Sequence, residues 1–261
     1  MSVETFKVVA LVAIFLTGLA GGILSRILSS SSKSELVFTM GNAFAGGVFL
    51  GAGVIHMLPD ARQGFEALLG DVEYPWFALV CAIGFLLILF LEKVCFPHDH
   101  QDGPLATASP GKKLLYPYVL LLILSVHSII TGIALGTESR ISQAAVIMLA
   151  VLAHKGTAAF ALGVSMLRTS MPPSRFIRLI VFFCSTTPFG ILLGIWVMSV
   201  VTGRTAQAFE AIFDALAAGT FLYVAVVDII EVEFSHQHSQ WLKFTLVALG
   251  LGVMAIVAIW T

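Results

Sequence analysis

The stretch Leu120-Leu121-Leu122-Ile123-Leu124-Ser125-Val126-His127-Ser128-Ile129-Ile130-Thr131-Gly132-Ile133-Ala134-Leu135-Gly136 (120–136) decides the fold. It holds no charged residue, and with its apolar flank from Leu114 it reaches the roughly 20 residues a helix needs to cross a bilayer. A histidine in the middle of such a run is costly in hydrocarbon, so it faces a partner, a metal or a water-filled path. Two more histidines stand in similar surroundings: His56 in Val54-Ile55-His56-Met57-Leu58-Pro59-Asp60, and His154 in Ala153-His154-Lys155-Gly156-Thr157-Ala158. Imidazole is also the commonest metal ligand among side chains. The trio predicts a membrane protein that handles a metal ion in its middle.

The rest of the chain agrees. Of its 261 residues 58% are hydrophobic and 11% charged, the balance of a protein whose solvent is lipid. Apolar runs separated by short polar loops lie at 6–28, 38–58, 75–96, 114–136, 142–168, 176–201, 206–231 and 240–260. None has the alternating pattern of a membrane barrel. The predicted fold class is therefore all-α, a polytopic bundle of eight transmembrane helices in a single domain over 1–261. The first run is too long for the apolar core of a signal peptide and lacks a small-residue cleavage site, so it reads as the first span. The segment 97–113, rich in Pro, Gly and charge, reads as a flexible loop. Cys81, Cys95 and Cys184 lie in apolar runs without CxxC spacing and read as buried small hydrophobes.

Lys and Arg collect in cytoplasmic loops. With the N-terminus outside, Arg26, Lys33, Lys93, Lys112, Lys113, Arg168, Arg175, Arg178 and Lys243 fall at inner ends, against Lys7, Arg62, Arg140 and Arg204 at outer ones. That asymmetry predicts both termini outside and the 97–113 loop in the cytoplasm; the membrane expected is a plasma or inner membrane, as the family resemblance below implies. The net charge of −1 gives no basis for a nucleic-acid partner. The expected partners are a divalent metal ion as substrate and the lipid bilayer, with a homodimer the candidate assembly. The stretch holding Asp60, Arg62, Glu66, Asp71 and Glu73 reads as an acidic outer loop that raises the local cation concentration.

Within the spans, His127 and Thr131 stand at i,i+4 and share a helix face, with Ser128 beside them. His127 and His154 each lie about a dozen residues into their runs, which matches their depths if the two helices are antiparallel. His56 lies near the outer end of the second run. Three imidazoles with room for water suit Zn²⁺ and its first-row neighbours and are poor for Mg²⁺ or Ca²⁺. Lys155 needs a counter-ion, a water-filled cavity or deprotonation at mid-membrane, and Asp214 and Asp228 of the seventh run are the candidate counter-ions. His98 and His100 with Asp99 and Asp102, and His236 and His238, fall on the cytoplasmic side, where they can capture metal weakly. Pro188 takes a backbone bond from the carbonyl of Cys184, and Ser185, Thr186 and Thr187 are placed to help satisfy the loosened backbone. No GxxxxGK[ST] motif occurs, so any transport is passive or driven by an ion gradient.

These motifs resemble the ZIP (Zrt-, Irt-like protein) family of divalent-metal transporters over nearly the whole chain. The resemblance runs through Phe44-Ala45-Gly46-Gly47-Val48-Phe49-Leu50, His56-Met57-Leu58-Pro59-Asp60, His127-Ser128 with Gly132, and His154-Lys155. It continues in Thr187-Pro188-Phe189-Gly190 and in Ala217-Ala218-Gly219-Thr220-Phe221-Leu222-Tyr223 before Asp228. The His-Ser and His-Lys pairs are similar to those of one subfamily that includes animal plasma-membrane members. The resemblance implies eight helices, no required cofactor, and transport of Zn²⁺ or a related ion such as Fe²⁺, Mn²⁺ or Cd²⁺ into the cytoplasm, with His56, His127 and His154 as ligands. It also marks departures. Thr131, Ala158 and Thr187 stand where family members often carry carboxylates. A second, adjacent metal site of some members would use the positions of Ser128 and Lys155, so it is expected to be absent, with the Lys155 ammonium in its stead. Read from the residues alone, three histidines with an open water position also fit a metal-dependent intramembrane hydrolase. That alternative lacks a general base, since no Asp or Glu lies within the fourth or fifth run.

Overall fold

The computed structural model describes residues 2–30, 34–70, 73–95, 116–138, 140–169, 171–197, 204–235 and 239–259. The 97–113 loop, His98, His100, His236 and His238 lie outside them. Helix α1 (Val3–Leu28) starts on Ser2, whose hydroxyl accepts the Thr5 amide, with Glu4 in its first turn and Arg26 in its last, the order the helix dipole favours. Helix α2 begins as Ser34–Gly51, passes through a π-helical segment Ala52–Met57 and continues as Leu58–Leu69. Helix α3 runs through Trp76–Leu89 into a π-helical end, Phe90–Cys95. Helices α4 (Tyr116–Thr137), α5 (Ile141–Arg168) and α6 (Pro173–Val197) follow. Helix α7 comprises Arg204–Tyr223, a π segment Val224–Glu231 and a last turn Val232–Ser235, and α8 is Gln240–Val257. Among the described residues, eight helices are long and apolar enough to cross a membrane, and the chain is a multi-pass integral membrane protein.

One local expectation is corrected and a second is made specific. The second span does not end near residue 58. It runs on to Leu69, with Pro59 seated at the junction where the π-helical segment passes into the last α-helical segment. Ala61 and Leu68 are buried on one side of this extension, while Arg62 and Glu66 pair at 2.6 Å on the other. The presumed acidic loop is thus largely an amphipathic helix carrying Asp60, Arg62 and Glu66. In α6, Pro188 does not end the helix. Ser185 Oγ donates to Val181 O at 2.8 Å and Thr186 Oγ1 to Phe183 O at 2.6 Å, whereas Thr187 Oγ1 is buried without a hydrogen-bond partner. The hydroxyls bond carbonyls before the gap, not the Cys184 carbonyl itself.

Helix packing divides the molecule into two four-helix bundles. Helices α1, α4, α5 and α6 pack chiefly on one another, and α2, α3, α7 and α8 do the same. Glycine sets the backbone distance within each bundle. A Cβ on Gly190 of α6 would overlap the Ile129 carbonyl of α4 and stand 3.0 Å from Gly132 Cα. One on Gly21 of α1 would overlap the Gly156 carbonyl of α5. Small residues allow such approach, and in lipid the packing it permits drives helix association. Between the bundles the contact is made by side chains. Phe38 of α2 packs on Phe160 and Val164 of α5, and Phe221 of α7 packs on the rings of His127 and His154. The described cysteines, Cys81 and Cys184, are free and buried, as expected.

Candidate functional site

Helices α4 and α5 bring His127 and His154 together, with ring centroids 5.7 Å apart and planes tilted by 48°. Both side chains are buried. Phe221 of α7 lies against both, 4.5 Å from the His127 ring and 6.1 Å from that of His154. Thr131, one turn after His127, lies with Oγ1 3.2 Å from His127 Nε2 and donates to the His127 carbonyl at 3.0 Å. With its proton on that carbonyl, the hydroxyl accepts from Nε2–H. The free lone pair is then on Nδ1, the form of imidazole that binds a metal. His127 Nδ1 and His154 Nδ1 are both buried without a hydrogen-bond partner. Buried polar atoms in native proteins are otherwise satisfied, so two orphaned nitrogens on facing rings fit a site built for something to enter.

His56 sits in the π-helical segment of α2, with Nδ1 3.2 Å from Asp60 Oδ2. A π segment widens the helix and re-aims its side chains, which is why such segments recur at functional sites. His56 and His127 line one cavity of about 640 Å³ together with Asp60, Thr131 and Asp214. Its remaining wall includes Gln63, Glu138, Ser142 and Gln207, from the end of α2, the end of α4 and the starts of α5 and α7. The start of α1 reaches the same face, where Lys7 Nζ donates to Gly136 O at 2.7 Å. The cavity therefore belongs to the face that carries the N-terminus. His154 is not in its wall. His127 is the common member, bordering the cavity with His56 and packing on His154 within. Among the described residues, no three His, Cys, Asp or Glu side chains gather closely enough to hold one metal ion.

Lys155 takes partners other than those expected. Its Nζ donates to Ser128 Oγ at 2.9 Å and to Phe183 O at 3.2 Å, and stands 3.7 Å over the Phe183 ring. No carboxylate among the described residues pairs with it: Asp214 lines the cavity with His56, and Asp228 lies beside Glu92 and Lys93. A hydroxyl, a carbonyl and an aromatic face replace the counter-ion, each offering negative potential to the ammonium. Ala158, one turn after His154, is buried in the apolar core and offers no ligand. Thr187 is buried beside α4, where its carbonyl lies against Gly132. One member was missed in the sequence, and another was read as part of a loop. Phe221 comes two residues after the small-residue run Ala217-Ala218-Gly219, and its place as the cover of both imidazoles needed the helix packing. Asp60 was legible by its i,i+4 spacing from His56, had that segment been read as helix.

Comparison with known proteins bears on what such an arrangement does. The profile of the family described as ZIP Zinc transporter matches residues 4–112 and 97–258. The chain is 29% identical over 273 residues to the mouse protein named Zinc transporter ZIP2, covering 89% of this chain and 88% of that one. It is 28% identical over 290 residues to Zinc transporter ZIP1 of Takifugu rubripes, covering 95% and 96% respectively. A 170-residue match to Protein zntD of Dictyostelium discoideum reaches 39% identity over 62% of this chain and 25% of that protein.

Proposed function

Because this chain belongs to the ZIP zinc transporter family, we propose that it carries a divalent metal ion of the zinc class across the membrane, inward to the cytoplasm. The face with the N-terminus and the cavity is then the outer one, in keeping with the distribution of Lys and Arg. The cation enters the cavity past Asp60 and Asp214, exchanges water for His56 and His127, and passes to His154 beneath Phe221. A three-histidine set forms as the two bundles shift and draw His56 toward the other two. Thr131 orients His127, and Lys155 supplies a fixed positive charge beside the path that keeps a second ion out. Release lies on the opposite side, where His98, His100, His236 and His238 capture the emerging ion. Alternating access around a midplane site is the general scheme for such bundles.

The observation that carries the reading is the cavity of about 640 Å³ that reaches His127, whose ring packs on a second buried imidazole. Borderline-soft nitrogen donors suit Zn²⁺ or Fe²⁺ better than the oxygen-preferring Mn²⁺, Ca²⁺ or Mg²⁺. The chain is a transporter rather than an enzyme: its relatives are named as transporters, and the hydrolytic alternative still lacks a base on α4 or α5. Uptake of radioactive zinc into proteoliposomes holding the purified protein tests this. Uptake that exceeds protein-free vesicles and saturates with zinc supports transport. Vesicles that stay at background while zinc-dependent lipid or peptide cleavage proceeds would contradict it.

A further inference from the structure

We propose that the Arg168–Glu233 ion pair latches the two bundles together on the face opposite the cavity, and must part before cargo leaves there. The proposal rests on the transport reading above. Arg168 is the last residue of α5, Glu233 lies in the last turn of α7, and Nη2 stands 3.1 Å from Oε1. The Glu233 side chain is 1% exposed and that of Arg168 19%. The same Oε1 accepts from Asn42 Nδ2 of α2 at 2.9 Å, and the Glu233 carbonyl accepts from Lys243 Nζ of α8 at 2.6 Å. Glu233 is thus fastened twice within its own bundle, while Arg168 reaches it from the other.

The pair differs in position from Glu4–Lys7, His56–Asp60, Arg62–Glu66 and Glu92–Lys93, each of which joins residues of one helix. Arg168–Glu233 joins two helices, and those helices belong to different bundles. It also closes an apolar seam. Phe160, Val164 and Arg168 recur at i,i+4,i+8 on one stripe of α5, and the first two pack on Phe38 of α2. Helix α5 carries His154, so any movement of α5 along α2 and α7 moves the inner imidazole and strains this pair.

The physics makes such a pair two-state. While the seam is dry, separating the charges strands a buried carboxylate, which is strongly unfavourable. Once water fills the seam, both groups are rehydrated and little holds them together. The pair therefore favours the closed seam without blocking the open one.

The test uses the full chain in lipid nanodiscs, with Val164→Cys as a reporter in the seam, where Val164 is fully buried. Labelling by a membrane-impermeant maleimide is compared with the parent protein. Adding Arg168→Ala or Glu233→Gln should raise the labelling rate roughly tenfold, as expected when a closed state loses its main bias. The exchanged pair, Arg168→Glu with Glu233→Arg, should return the rate to within about twofold of the reporter alone. Equal labelling in all four folded proteins overturns the latch. If Arg168→Ala does not fold, Arg168→Lys serves, with an intermediate rate expected and an unchanged one overturning the proposal. Zinc flux through the same reporter protein separates the two claims. Normal flux with unchanged labelling sinks the latch alone, whereas absent flux with raised labelling sinks the transport reading alone.

Discussion

Lys155 Nζ donates to Ser128 Oγ at 2.9 Å, so the residue after His154 is bonded to the residue after His127. This bond fixes the register of α5 on α4 and with it the facing of the two imidazoles. Replacing Lys155 by Met keeps the length of the side chain but removes both hydrogen bonds and the charge. Stability should fall by about 1.5–3 kcal/mol, the range for hydrogen bonds to charged groups, seen as a lower midpoint in thermal unfolding. Zinc affinity should move the other way, rising roughly tenfold in equilibrium binding, because a like charge near the bound ion is gone.

Thr131 stands where a carboxylate was expected by resemblance, and the structure gives it a different task. Its hydroxyl bridges His127 Nε2 and the His127 carbonyl. Thr131→Val keeps the shape and frees the ring. The loss is expected to be about 1 kcal/mol of zinc binding, or roughly fivefold in the transport KM, with little change in the maximal rate. Competition uptake assays over a zinc series read the two constants separately.

His56 Nδ1 and Asp60 Oδ2 are 3.2 Å apart at the half-exposed edge of the cavity. An exposed pair of this kind contributes up to about 1 kcal/mol, so Asp60→Asn should raise the zinc KM by at most roughly fivefold. The effect should shrink in high salt, because the Asp60 carboxylate is the solvent-open half of the pair and its charge is screened. A KM that responds to neither the substitution nor salt would remove Asp60 from the path.

The α4–α6 seam is the place where one methyl group should matter most. A Cβ on Gly194 would stand 2.5 Å from the Ile133 carbonyl and 2.9 Å from Gly136 Cα, backbone atoms that cannot rotate away. Gly194→Ala should cost about 1–3 kcal/mol of stability through overpacking. Gly252 lies inside α8 with nothing within 4 Å of an added Cβ, so Gly252→Ala is the control and should leave the unfolding midpoint unlowered or slightly raised. Thermal unfolding of the two variants side by side reads the difference.

Much of the fold was written in the apolar runs, because length and hydropathy suffice to identify a membrane span. The second span escaped at its end, since the run of apolar residues stops near Leu58 while the helix continues amphipathically to Leu69. The pairing of His127 with His154 was legible from matched depth on neighbouring helices. The separate position of His56 was not, because it depends on a π segment and on the gap between two bundles. Nor could the partners of Lys155 be read. Charge complementarity pointed to Asp214 and Asp228, whereas packing supplied a hydroxyl, a carbonyl and a ring. Neutral partners leave no signature in a list of charged residues.

The most direct measurement is zinc flux into proteoliposomes for His127→Ala and His154→Ala, at matched protein content and with folding verified. Each substitution should reduce flux to near the background of empty vesicles, because each removes an imidazole through which the ion must pass. Flux at the level of the parent protein in either variant would contradict a path through the paired histidines.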